Sequence, residues 1–263
     1  MGHGEKLRRV VAVSGLTQQA LAAEIGTSLV SVNNWLSGKA TPRRKQFLDR
    51  IDVLYAKYVG KEAVDPDELQ HLKELAASAR LSVSDLLEDP VALRSFLVAS
   101  TYNSNAIEGS TMTASDVEEV LFADAILHNR TQVEQREAVN HRAAVEYLLG
   151  LMVDDPGFVF TPELIQRIHL ILMVGVLSNA GDWRNHGVRI QGSRLVPANH
   201  VKVPHLMNEL CSELNQPTDD PVALLAHAHA RFEQTHPFSD GNGRVGRLLM
   251  LAKALQLGLA PPI

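Results

Sequence analysis

Residues 236–247 read His-Pro-Phe-Ser-Asp-Gly-Asn-Gly-Arg-Val-Gly-Arg, a stretch that combines an imidazole, a carboxylate, several glycines and two guanidiniums. Gly241, Asn242 and Gly243 can expose successive backbone N–H groups as a nest for anionic oxygens, because glycine adopts left-handed torsions at little steric cost. A helix is predicted to begin at about Arg244, and its N-terminal dipole also favours phosphate. The stretch therefore predicts a phosphate-binding loop.

The charged side chains of this loop predict nucleotide chemistry. Arg244 and Arg247 are one helical turn apart, so their planar guanidiniums can grip two phosphate groups. Asp240 is expected to hold a Mg²⁺ that bridges phosphate oxygens. His236, whose ordinary pKa lies near neutrality, is expected to accept the proton of an attacking hydroxyl. Together these residues predict transfer from a nucleotide phosphate to an alcohol or phenol.

The glycine spacing also fits the G-x-G-x-x-G fingerprint of nicotinamide dinucleotide enzymes, and the sequence argues against that class. The fingerprint requires an apolar strand before it and an acidic residue about 20 positions after it. Polar residues precede Gly241, and no acidic residue follows Asp240.

The same stretch resembles the signature HxFx[D/E]GNGRxxR of Fic-domain proteins, with every fixed position filled. The helix predicted over 226–235 and a hairpin predicted over 187–197 are similar to the family's helix and substrate-positioning flap. The similarity covers about residues 65–260. It implies a mostly α-helical domain that uses ATP and Mg²⁺ to transfer AMP to a Ser, Thr or Tyr hydroxyl of a target protein, releasing pyrophosphate.

The resemblance also implies a role for each matching residue. His236 would be the base, Phe238 a buried anchor of the loop and Asp240 the Mg²⁺ ligand. In the flap, Ile190 and Gly192 would hold the target segment by strand addition. The implied nucleotide- and phosphate-binding residues are Gly241, Asn242, Gly243, Arg244 and Arg247.

A second motif, upstream of the signature, predicts regulation. Ser104 and Glu108 are four residues apart at the end of a predicted helix, so they share one face. Ser104 to Gly109 resembles the family's inhibitory motif [S/T]xxxE[G/N]. The resemblance implies that Glu108 pairs with Arg247 and withholds it from ATP, at a strength of roughly 1.5–3 kcal/mol. The chain would thus be self-inhibited by a helix around 91–109.

Elsewhere the apolar residues recur at helical spacing, which predicts an all-α fold with one small β-hairpin flap. A polar stretch with Gly and Pro near residue 60 suggests a boundary between domains 1–60 and 61–263. The predicted helices of the second domain are 69–81, 91–107, 114–127, 133–151, 164–176, 221–234 and 244–257.

The sequence of the first domain predicts a helix-turn-helix. Thr17 and Ser28 are candidate caps of two short helices, and Gly26 stands where a left-handed residue would join them. Residues 17–42 resemble the helix-turn-helix of phage-repressor-type regulators, which implies DNA binding, usually by a homodimer. The charge distribution also favours DNA binding by this domain. Residues 1–58 contain nine Lys or Arg and four Asp or Glu, whereas the whole chain has a net charge of −5. The expected DNA contacts are Gln18, Ser28, Ser31, Asn34, Lys39, Arg43 and Arg44.

The composition of the chain excludes some classes of protein. The single cysteine excludes a disulfide framework within the chain, and no apolar run approaches the ~18 residues of a membrane span. We expect a cytoplasmic protein without membrane contact. Three alternatives stay open. Glu108 could orient water to remove AMP from a modified protein, or the donor could be another nucleotide. The chain could also be a transcription regulator that senses nucleotide or modifies itself. A first domain kept only for protein contacts is a fourth.

Overall fold

The computed structural model describes residues 2–60, 66–79, 81–123, 125–190 and 195–261. The regular elements among these residues are helices, and the chain divides into two compact units, Met1–Leu75 and Ala76–Ile263. The predicted all-α class is confirmed. The boundary expected near residue 60 stays a prediction.

The first unit is built from short helices around a small apolar core. Thr17 and Ser28 cap their helices as predicted, since their hydroxyls accept from the backbone N–H groups of Ala20 and Ser31. Gly26 has a left-handed φ of 74° between those two helices. The core is formed by Leu7, Val10, Leu21, Val32 and Ile51. The helices are α1 (His3–Ser14), α2 (Gln18–Ile25), α3 (Leu29–Leu36) and α4 (Lys45–Tyr58), followed by α5 (Pro66–Ser78), within which the division lies.

The second unit contains the longest helices of the described chain. It packs around a core that includes the fully buried Leu148, Ile168, Phe232 and Phe238. Its helices are α6 (Val83–Glu88), α7 (Pro90–Ile107), α8 (Ala114–Phe122), α9 (Gln132–Asp154), α10 (Pro162–Met173), α11 (Val203–Leu214), α12 (Pro221–Thr235) and α13 (Asn242–Gln256), with a 3₁₀ turn at His200–Lys202 before α11.

Helix α9 runs along both the segment expected to inhibit the site and the helix that follows the loop. Thr131 and Glu134 form a capping box that starts it. His141 on α9 meets Thr101 of α7 at 3.1 Å inside the core. The amide of Asn140 donates to the carbonyls of Leu172 and Val174 at the end of α10. One helix thus fixes the elements that surround the site.

Several sequence expectations differ from the structure, and helix α6 was not among the predicted helices. Helix α11 was not predicted, although its buried face includes Val203, Met207 and Leu210. Helix α8 ends at Phe122 instead of Leu127. The described parts of 187–197 contain no strand, and Gly192 lies outside the described residues. A two-stranded ribbon without a third strand or a covering helix is marginal in water, which fits the irregular path of its described residues.

Candidate active site

The loop between α12 and α13 is fastened to the core by Phe238 and Asn242. The Phe238 ring is fully buried and stacks on His169, with centroids 3.7 Å apart and planes 7° from parallel. The Asn242 amide accepts from the backbone N–H of Phe238 at 2.8 Å and donates to its carbonyl at 2.9 Å. Asn242 therefore holds the loop closed with its own side chain.

A buried guanidinium that the motif analysis did not include supports the same loop. Arg184 is 2% exposed and donates from Nε to the carbonyl of His236 at 2.6 Å. Its other nitrogens donate to the carbonyls of His186, Ala198 and Thr235. Arg184 thus joins the segments on both sides of 187–197 to the loop.

His236 stands at the end of α12 in an unusual backbone conformation. Its φ is 51°, in the left-handed region that side chains other than glycine rarely adopt. Its backbone N–H donates to Phe232 at 2.8 Å, so the helix end fixes the position. Burial lowers the pKa of the imidazole below its ordinary value. The ring is therefore neutral at pH 7 and able to accept a proton.

The residues after His236 form a turn that leads into an uncapped helix end. The backbone N–H of Gly241 donates to the Asp240 carboxylate at 2.6 Å, and Gly241 has a φ of 74°. A Cβ added at Gly241 would lie 2.8 Å from the sulfur of Met173, so both torsion and space require glycine. No side chain caps α13, and its first N–H groups can serve an anion.

The turn at Asp240 can bind a divalent cation through one carboxylate, together with substrate phosphates and water. The described residues contain no group of three or more His, Cys, Asp or Glu side chains that would hold a metal. Mg²⁺ is commonly bound by one or two carboxylates together with substrate phosphates and water, and not by an all-protein cage. The exposed carboxylate of Asp240 suits that arrangement.

The two arginines of the loop have different surroundings. Arg244 is 3% exposed, and its guanidinium donates to Glu137 of α9 at 2.6 Å. Arg247 follows one turn later on the same helix, its side chain is 24% exposed, and it donates from Nε to the Ser104 hydroxyl at 3.0 Å. In this state Arg244 faces the interior, and Arg247 is the guanidinium with access to a ligand.

Glu108 meets Arg247 directly. The carboxylate accepts from the Arg247 guanidinium at 2.6 Å, and the carbonyl of Ser104 accepts from the same nitrogen at 2.9 Å. Gly109 follows Glu108 with a φ of 97°, so the chain turns away at once. The side chains of Glu108 and Arg247 are 34% and 24% exposed. The structure brings Ser104, Glu108 and Arg247 together.

The loop after Gly109 is tied to α9. Glu134 accepts from the backbone N–H and the hydroxyl of Thr111 at 2.7 and 2.8 Å. These bonds, with those from Thr131, lower the pKa of Glu134 to about 2. Sequence analysis missed this anchor, although the capping-box spacing of Thr131 and Glu134 marks it.

Two further groups of predicted site residues belong to the segment around 190 and to the first unit. Ile190 is partly buried in an irregular segment, and the described residues on either side of 191–194 form no strand. In the first unit, the Ser28 hydroxyl caps α3 and meets the Ser31 hydroxyl at 2.9 Å, while Asn34 is partly buried. Exposed residues there include Gln18, Lys39, Arg43 and Arg44.

No helix among the described residues is long and apolar enough to cross a membrane.

Comparison with known proteins agrees with this geometry. Residues 159–253 match the model of the Fic/DOC family. A relative from Aedes aegypti named protein adenylyltransferase Fic is 30% identical over 62% of this chain and 33% of its own length. Protein adenylyltransferase fic-1 from Caenorhabditis elegans is 25% identical over 75% of this chain and 37% of its own. The chain spans about a third of the length of these curated relatives.

Solved structures give the same result for the fold. A Fic family protein from Desulfovibrio desulfuricans G20 is 28% identical, with a TM-score of 0.58 over 74% of this chain and 58% of that one. A fragment of Fic-1 from C. elegans is 20% identical, with a TM-score of 0.63 over 94% of this chain and 84% of that one. The segment 159–253, which contains the loop that joins α12 to α13, is thus similar to the domain of the Fic/DOC family.

Proposed function

We propose that this chain transfers AMP from ATP to a hydroxyl side chain of a target protein. The observation that carries the proposal is a half-buried His236 at one end of a loop whose other end is the uncapped N-terminus of α13. Burial lowers the pKa of the His236 imidazole, which suits it to accept a proton. The names of the curated relatives, protein adenylyltransferase, support the same reaction.

In the proposed reaction His236 accepts the proton of the target hydroxyl. The hydroxyl oxygen then bonds to the α-phosphorus, the bond to the bridging oxygen breaks, and pyrophosphate leaves. The N–H groups at the start of α13 and the Arg247 guanidinium would bind the departing phosphates. Asp240 would hold a Mg²⁺, which when bound neutralises phosphate charge. The rigidity supplied by Phe238 and Asn242 keeps the donor groups in position.

We further propose that the chain is self-inhibited by Glu108. The Arg247 guanidinium donates from Nε and one terminal nitrogen to Ser104 and Glu108, so a phosphate that binds these donors must displace the present partners. A charge-assisted hydrogen bond of this kind is worth roughly 1.5–3 kcal/mol, which corresponds to tenfold or more in occupancy.

The test is incorporation of ATP labelled at the α-phosphate, into the chain itself and into a cell lysate. Wild type, Glu108→Gly and Glu108→Gly/His236→Ala are compared with Mg²⁺ present. We expect label to increase tenfold or more in the single variant and to vanish in the double variant. A silent single variant with every nucleoside triphosphate would overturn the transferase assignment.

The same variants separate transfer from removal of AMP. If Glu108 orients a water that attacks a modified target, Glu108→Gly abolishes removal from a pre-labelled substrate. If Glu108 only inhibits transfer, the variant removes label no more slowly than wild type.

A second function, DNA binding by the first unit, is favoured by a separate observation. Lys39, Arg43 and Arg44 are exposed directly after α3, whose start is capped by Ser28. We propose that residues 1–58 bind DNA, as a dimer on a palindromic site. A phosphate-binding surface predicts that the logarithm of the binding constant falls linearly with the logarithm of salt concentration. Binding of Lys39→Ala/Arg43→Ala no weaker than that of wild type would exclude this surface.

A further inference from the structure

Helix α12 carries two polar side chains, His229 and Glu233, that the proposed mechanism does not use and that lie in line with the proposed base, His236. His229, Glu233 and His236 are spaced four and three residues apart, so they share one face of the helix and its end. Each has a buried polar atom with no hydrogen-bond partner among the described residues, namely Nδ1 of both histidines and Oε1 of Glu233. Buried polar atoms are usually paired, so such a line requires an explanation.

Space for these side chains is provided by Gly246 of α13. A Cβ added at Gly246 would lie 2.8 Å from Oε1 of Glu233 and 3.2 Å from Cε1 of His229. The signature needs no glycine at this position, because x in GNGRxxR is free. In this chain the glycine lets the Glu233 carboxylate lie against α13 beside the catalytic loop.

The second oxygen of Glu233 faces the catalytic imidazole. Oε2 lies 3.7 Å from Nδ1 of His236, which is too long for a hydrogen bond. Catalytic hydrogen bonds are often long in the absence of substrate and shorten in the complex. A small rotation of the Glu233 side chain would bring the carboxylate within reach of the ring.

We propose that Glu233 is a positioning residue whose carboxylate accepts a hydrogen bond from Nδ1–H of His236 in the active state. The proposal rests on the function of His236 as the base. The bond would fix the tautomer in which Nε2 is free to take the hydroxyl proton. The proton moves from the target hydroxyl to Nε2, Nδ1 keeps its own, and the carboxylate stays ionised and stabilises the imidazolium. The proton on Nε2 later leaves to solvent.

The pKa values of Glu233 and His236 depend on charged groups that include the inhibitory residue Glu108. Burial raises the pKa of Glu233, Arg247 lowers it and Glu108 raises it. Around His236, burial and Arg184 lower the pKa, whereas the Glu233 carbonyl, Glu108 and Asp240 raise it. Loss of Glu108 removes a negative charge from the surroundings of Glu233, so the carboxylate ionises more readily when the inhibitory contact is absent.

The first measurement is an NMR titration of the His236 imidazole in the full chain, with His236→Ala to assign the signal. We expect Glu233→Gln to lower the pKa of His236 by about one unit, because a nearby negative charge favours the imidazolium. Glu163→Gln, an exposed change of the same type on α10, should leave that pKa unchanged. An unchanged His236 pKa in Glu233→Gln overturns the proposal whether or not the protein is a transferase.

The second measurement is the pH profile of label transfer in the Glu108→Gly background. Adding Glu233→Gln should lower kcat about tenfold, leave KM for ATP unchanged and shift the acid limb to lower pH with the His236 pKa. Glu233→Asp should recover part of the rate. A rate loss with an unshifted acid limb would mean a structural role and overturn the proposal. If Glu233→Gln does not fold, Glu233→Met gives the same two readings. If the Glu108→Gly variant transfers no label, the proposed function is wrong. The NMR titration alone then shows whether Glu233 pairs with His236.

Discussion

Arg244 and Arg247 lie one turn apart on α13, and each pairs with a carboxylate at 2.6 Å, but the two pairs lie in different environments. The side chains of Arg244 and Glu137 are 3% and 18% exposed, and those of Arg247 and Glu108 are 24% and 34% exposed. Removing one partner of a buried pair leaves an uncompensated charge, whereas an exposed charge is solvated by water. The Arg244–Glu137 pair is thus suited to stabilise the fold. The Arg247–Glu108 pair is suited to break and form again.

The largest expected effect is on stability at the inner pair. Glu137→Ala should lower the free energy of unfolding by about 3–5 kcal/mol, because the Arg244 guanidinium stays buried without its partner. Denaturant unfolding measures the change. Glu146→Ala, on the same helix, removes an exposed partner of Arg142 and should cost less than about 1 kcal/mol. Equal losses in the two variants would contradict the comparison.

At the outer pair the expected effect is on activity. Glu108→Ala should lower the free energy of unfolding by about 1.5 kcal/mol, the low end for a charge-assisted hydrogen bond, because both side chains are in contact with water. AMP transfer should increase tenfold or more, because Arg247 becomes available to phosphate. Unfolding and label incorporation are measured on the same preparation. A stability loss as large as that of Glu137→Ala would show that the outer pair is structural.

The anchor behind the inhibitory segment should depend on pH. The pKa of Glu134 is lowered to about 2, so its stabilisation is complete above the unfolded pKa of about 4.3 and is lost as pH falls towards 2. Glu134→Gln should cost about 1 kcal/mol at pH 7, since the carboxylate is partly exposed. The difference from wild type should vanish as pH falls through this window. A difference that persists at pH 2 would exclude ionisation as its origin.

The smallest effect is expected from one hydroxyl. Ser104→Ala removes the acceptor for Nε of Arg247 and leaves the Ser104 carbonyl and Glu108 in place. Transfer should rise only a few-fold, less than in Glu108→Ala. Ser100→Ala, one turn earlier on α7, is the matched control and should leave transfer unchanged. A rise as large as that of Glu108→Ala would assign the inhibition to the hydroxyl.

Local sequence was sufficient for much of this protein. Spacing predicted the helical class, the caps Thr17 and Ser28, and the start of α13 next to a left-handed Gly241. These features depend on contacts within a few residues, so the pattern carries them. Helix α11 was missed, and the expected hairpin is absent from the described parts of 187–197, because both depend on distant packing partners.

The sequence by itself predicted the candidate residues for the chemistry, because loop, motif and charge lie within short stretches at 104–109 and 236–247. Only the tertiary structure decided what each one does at rest. It buried Arg244 against Glu137 and left Arg247 for Glu108, and it brought Arg184 beneath the loop. It also set Glu233 beside His236. Burial and long-range pairing arise from the packing of helices far apart in sequence, and no local pattern specifies them.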